Sequence, residues 1–101
     1  MANKVKITVL KRELYKDLVE AYASDKSFAQ CPVYKDGQEF ILERTAMPEG
    51  FCSWAWSDIQ RDVASVLYGA SYPWVEQKEM LISCCTDGFR PVVFKIEKIG
   101  D

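Results

Sequence analysis

The chain contains no histidine. That removes Cys-His and Ser-His-Asp catalysis and every histidine-ligated metal site. Acid-base work would fall to Asp, Glu, Lys, Tyr or Cys, which makes an enzyme the less favoured class. Long apolar runs are missing too, and the longest falls far short of the ~20 residues that span a bilayer. There is no excess of basic residues: the formal net charge is -2. Nucleic-acid binding therefore lacks its usual electrostatic drive. The opening MANKVKITVL turns at once into alternating sequence, with no separate apolar segment or cleavage site. It predicts no signal peptide and a cytoplasmic protein. Repeats, low-complexity tracts and linkers are absent as well.

What remains is the composition of one ordinary globular domain over residues 1–101, with 49% hydrophobic and 28% charged residues. A chain of this size buries roughly 65% of its unfolded surface, enough for one core and no second. Val5, Ile7 and Val9 alternate with Lys4, Lys6 and Thr8, the pattern of a half-covered strand. Leu14, Leu18, Ala21 and Tyr22 have helical spacing and predict a short helix. Asp36-Gly37 predicts a turn into a strand that carries Phe40 and Leu42 on one face. Over residues 53–68, Cys52, Trp56, Ile59, Val63, Val66 and Leu67 share one stripe, with Asp58, Arg61 and Ser65 opposite. This predicts an amphipathic helix capped at Cys52 or Ser53 and stopped by Gly69. MLISCC and PVVFKIEKI then read as two strands of a hairpin.

An odd-length hairpin loop pairs Cys84 with Val92, Ile82 with Phe94 and Met80 with Ile96, uniting six apolar residues on one face. A one-residue slip would reverse them all, so the pattern favours Cys84 inward and Cys85 outward. The order strand-helix-strand-helix-strand-strand predicts an α+β domain: a four-stranded mixed sheet with helices on one face.

The chemistry concentrates in MPEGFCSWAWSDI, residues 47–59. Cys52 sits at a helix start, where free backbone N–H groups and the helix dipole stabilise a thiolate. It is the expected reactive thiol and the candidate nucleophile. Cys31, Cys52 and Cys84 could meet as ligands of zinc or iron, although no C-x-x-C pair supports this. The bland alternative is four buried structural cysteines, since free cysteine often behaves as a small hydrophobe. Trp56 reads as core. Trp54 lies on the polar side of the helix with Tyr68, and Trp74 follows in the next loop. The three form a candidate contact surface unless that loop folds back over them. Arg90, at the hairpin tip, would hold an anion or the Cys52 thiolate if the tip curls toward the helix start.

KITVLK, CPVYKDGQEF, MPEGFCSWAW, YPW and CCTDGFRPVVFKIEKI cover nearly the whole chain. In these segments the sequence resembles a family of small, uncharacterised bacterial and archaeal proteins with a GFCxWAW motif and a C-terminal CxDGxRPVxFKI motif. The resemblance implies one recurring domain and supplies no activity, cofactor or catalytic residue. The leading expectation is a small cytoplasmic accessory or binding domain for a protein or small molecule, with a cysteine-based redox or metal site as its sharper form. The alternatives are a cysteine-dependent enzyme using Cys52 and a plain interaction module using the aromatics. Neither membrane nor nucleic acid is an expected partner.

Overall fold

The computed structural model describes residues 3–100. In chain order the elements are β1 (Lys4–Arg12), α1 (Lys16–Tyr22), β2 (Glu39–Leu42), α2 (Ser53–Leu67), β3 (Met80–Cys84) and β4 (Val92–Ile99). The strands form one sheet in the order β2-β1-β4-β3. The architecture is α+β with four strands, as the element order predicts.

Every pair of adjacent strands is antiparallel, so the expected mixed sheet is not formed. The reason lies in the crossover. β2 and β3, which α2 connects, occupy opposite edges of the sheet and do not pair. α2 crosses the sheet between them and packs on β1, β3 and β4. Of the two helices α2 alone packs on the sheet.

β1 keeps its alternation. Val5, Ile7 and Val9 are fully buried beneath α2, with lysines on the other face. A bulge between Val9 and Lys11 shifts the β1–β4 register and leaves Leu10 exposed. α2 buries Ala55, Ile59, Val63, Val66 and Leu67, close to the predicted stripe. Trp56 stays half-buried and packs edge-on against Phe51. The helix ends as expected at Gly69. Ala70 N–H donates to Ser65 O and Gly69 N–H to Val66 O, the paired bonds of a Schellman stop. Gly69 has φ +94, a conformation that disfavours any residue with a Cβ.

The short helix α1 forms as its spacing predicts, whereas the predicted hairpin register does not. In α1 the inward residue is Val19, followed by Ala23, whereas Leu18 and Tyr22 are exposed. With no sheet beneath the helix, its spaced apolar residues have none to cover. The hairpin is in the other register: Leu81 faces Ile96, Ser83 faces Phe94, and Cys84 faces Val93. Cys85 is therefore buried with Val92 and Phe94, and Cys84 is exposed. The apolar count misled because Ser83 is satisfied inside: its hydroxyl donates to Asp62 Oδ2 of α2 at 2.8 Å. A half-buried hydroxyl with a partner costs little. β3 is an edge strand, so its outer face can leave Ile82 in water.

The centre of the core is aromatic. Tyr34 is 2% exposed and meets Phe40, Phe51 and Phe94 edge-on, at centroid distances of 6.1, 5.3 and 5.4 Å. Such pairs add to their burial about 0.5–1.5 kcal/mol each.

Candidate functional site

The start of α2 is built by MPEGFC. Phe51 N–H donates to Pro48 O at 3.3 Å, closing a turn whose Gly50 has φ +82. The turn drives Phe51 into the aromatic core and leaves Cys52 as the helix cap. Cys52 makes no side-chain cap bond. Its backbone N–H donates to the Tyr34 hydroxyl at 3.1 Å. The segment 31–34 is thereby tied to the helix start.

Tyr34 ionises well above the ordinary tyrosine range. Burial is the main cause, and the neighbouring Cys52, Cys31 and Cys85 thiols add to it against the opposing bond from Cys52 N–H. The phenol accordingly stays neutral.

The hairpin tip supplies the third segment. Asp87 Oδ1 accepts the backbone N–H groups of Phe89 and Arg90 at 3.0 and 3.2 Å, folding the tip on itself. The Arg90 guanidinium lies over the Phe28 ring at 4.0 Å, and its Nη1 donates to Ala29 O at 3.4 Å. Its Nε stands 3.5 Å from Asp87 Oδ2, too far for a good hydrogen bond, and is buried without one.

These three segments enclose a cleft of about 290 Å³. Cys31, Cys52 and Cys85 line it, with Tyr34, Trp54 and Arg90. Cys85 is the innermost thiol, and Val92 N–H donates to its sulfur at 3.3 Å. A wider depression of about 460 Å³ beside Lys4, Glu43 and Met47 is open surface around an exposed ion pair. It brings no comparable set of groups together.

Trp54 is 64% exposed, yet it is held. Its indole N–H donates to Thr86 Oγ1 at 3.0 Å. Thr86 in turn donates its backbone N–H and its hydroxyl to the Asp58 carboxylate, at 2.8 and 3.0 Å. One polar relay thus ties helix to hairpin tip and fixes the ring as a wall of the cleft.

Of the residues singled out from sequence, Cys31, Cys52, Trp54 and Arg90 come together in this cleft. Cys84 does not: it faces out from an edge strand, and Cys85 takes its place. Among the described residues, no three His, Cys, Asp or Glu side chains stand close enough to hold a metal ion. The expected zinc or iron site of Cys31, Cys52 and Cys84 therefore lacks its geometry. Tyr68 and Trp74 are exposed, Tyr68 at the C-terminal end of α2 and Trp74 in the loop that follows it. Tyr68 is about 20 Å from Trp54 along the helix axis, from a rise of ~1.5 Å per residue. Trp74 packs on Tyr72 at 5.1 Å. The three aromatics do not make one surface. Sequence reasoning missed Tyr34 and placed Cys85 outward, whereas Asp87, at the hairpin tip, has the turn role its Asp-Gly pair suggests.

No helix among the described residues is long and apolar enough to cross a membrane. Comparison with family models, curated proteins and solved structures gave no match.

Proposed function

We propose that this protein is a small cytoplasmic binding domain whose ligand enters the cleft at the start of α2. The ligand carries a flat or apolar body, to lie on Trp54, and an anionic group, to meet Arg90. It is a small molecule or a partner's side chain. The observation that carries this reading is the exposed but hydrogen-bonded Trp54. An immobilised aromatic ring loses little entropy on binding, and tryptophan is enriched at binding hot spots. Arg90 is oriented by a ring and a carbonyl and keeps donors for an incoming acceptor.

A cysteine-dependent enzyme is less well supported. Asp87 is the carboxylate lining the cleft, and it is committed to two backbone N–H groups. A carboxylate so engaged is a poor general base. A broad aromatic docking surface is also less well supported, because its three residues are dispersed.

The test is an NMR titration of backbone amides with benzoate and with its neutral isostere benzamide. Benzoate should shift the amides of Cys52, Trp54, Ala55 and Arg90 selectively and bind more tightly than benzamide. Trp54→Ala should abolish the effect. Equal, scattered shifts from both probes would sink the proposal.

A further inference from the structure

The two edges of the sheet are unequal. β2 forms one and β3 the other. In the β3–β4 ladder, Cys85 N–H donates to Val92 O at 3.1 Å and Lys98 N–H to Glu79 O at 3.0 Å. Bonded and non-bonded pairs alternate in an antiparallel ladder, so Leu81 and Ser83 also bond to β4. The backbone N–H and C=O groups of Met80, Ile82 and Cys84 therefore point away from the sheet. Among the described residues, no backbone group of another segment bonds them. Strands at an edge are commonly guarded by charge, proline or a bulge. MLISC has none of these. β2 is guarded. Its ladder, fixed by Val9 N–H donating to Gln38 O at 2.8 Å, turns Glu39 and Ile41 outward, and Glu43 follows in the same phase. Two copies joined about Ile41 would set Glu39 against Glu43, carboxylate against carboxylate.

We propose that β3 pairs with β3 of a second copy, antiparallel about a two-fold axis through Ile82. This goes beyond the ligand cleft and does not depend on it. In this register every outward-pointing residue of β3 finds a partner. Met80 meets the second copy's Cys84, and Ile82 meets the second copy's Ile82. Each such pair exchanges two backbone hydrogen bonds. A shift of two residues leaves one end of the strand unpaired. No charged side chain of β3 opposes another, because the strand has none. The two four-stranded sheets become one, and the contact is isologous, so the pair closes on itself.

α2 favours the same arrangement. It runs antiparallel to β3: Asp58 accepts Thr86 N–H, Asp62 accepts the Ser83 hydroxyl, and Ser71, just past the helix, accepts Glu79 N–H. The two-fold axis lays both α2 helices on the same face of the joined sheet, antiparallel to each other. Arg61 is exposed, and among the described residues its side chain has no ion pair. In the pair it is set toward the acidic row Asp58 and Asp62 of the facing helix. Charge across the helices is thus complementary, where pairing through β2 would be repulsive.

The experiment uses the full chain. Sedimentation equilibrium under reducing conditions should give twice the chain mass for the parent and a single chain mass for Ile82→Lys, which brings two ammonium groups together on the axis. Ile82 is 47% exposed, so this change leaves the core intact. Disulfide trapping reads the register without that variant. Facing residues of a hydrogen-bonded antiparallel pair have Cα atoms about 5.5 Å apart, within disulfide reach. On mild oxidation Met80→Cys should form a covalent dimer through Cys84 of the second copy. Ile82→Cys combined with Cys84→Ser should form one through position 82. The parent should not, because its two Cys84 residues stand about 14 Å apart in this register. Ile41→Cys, on the β2 edge, should not either. A parent that stays monomeric at millimolar concentration overturns the inference. So does a dimer that survives Ile82→Lys, or a covalent dimer of the parent or of Ile41→Cys that forms as readily as that of Met80→Cys.

Discussion

Tyr34→Phe removes a single oxygen from the centre of the protein. The ring is 2% exposed and wedged among Phe40, Phe51 and Phe94, so the substitution leaves the packing in place. What disappears is the acceptor for Cys52 N–H, at the point where α2 begins. A donor left without a partner away from water costs about 1–3 kcal/mol. A loss of ~2 kcal/mol lowers the melting temperature of a domain this size by roughly 8–16 °C. Tyr34→Ala would add the loss of the ring and cost about 3–5 kcal/mol or more. Urea denaturation of the two variants beside the parent measures both.

The pH dependence of the same variant gives a second reading. Tyr34 has its folded value raised above the ordinary 10.0, because burial opposes the phenolate. The stability held by the neutral phenol is complete below pH 10 and is lost as pH rises through the raised folded value. The advantage of the parent over Tyr34→Phe should therefore be constant near neutrality and shrink above about pH 10, where the unfolded phenol titrates. A Tyr34→Phe protein as stable as its parent at pH 7, or a gap that widens in alkali, would refute the role given to the hydroxyl.

Leu81→Ala should cost about 2–5 kcal/mol, and Ile82→Ala within about 1 kcal/mol. The odd-loop register predicts the reverse order, so chemical denaturation of the pair decides the strand's facing. Trp54→Ala should change stability by no more than about 1 kcal/mol, since the ring is largely in water, while removing the benzoate response; a drop of several kcal/mol would make this tryptophan structural. Among the four thiols, Cys85 should resist a bulky maleimide in the native protein and react only on unfolding. Labelling of Cys85 ahead of Cys84 would contradict the assigned faces.

Periodic local signals determined what they could reach from sequence alone. β1 alternates up to its bulge because each face meets a single environment there, with Lys4, Lys6 and Thr8 on one side and Val5, Ile7 and Val9 on the other. The long stripe of α2 and the stop at Gly69 were legible for the same reason: fifteen residues sample the helical period several times, and the stop is a local backbone requirement. Tertiary structure decided the rest. α1 is too short for its stripe to be decisive, and its inward side depends on where the helix lies. The face of β3 turned on one hydrogen bond between Ser83 and Asp62, residues far apart in the chain. That bond makes a polar side chain cheaper inside than hydrophobic counting allows. Cys31, Cys52 and Arg90 could each be marked in advance, yet the choice of Cys85 over Cys84 as their neighbour was a matter of register. The relay that pins Trp54 likewise joins α2 to the hairpin tip. Contacts between segments distant in sequence leave no period to read, because they depend on relative position in space.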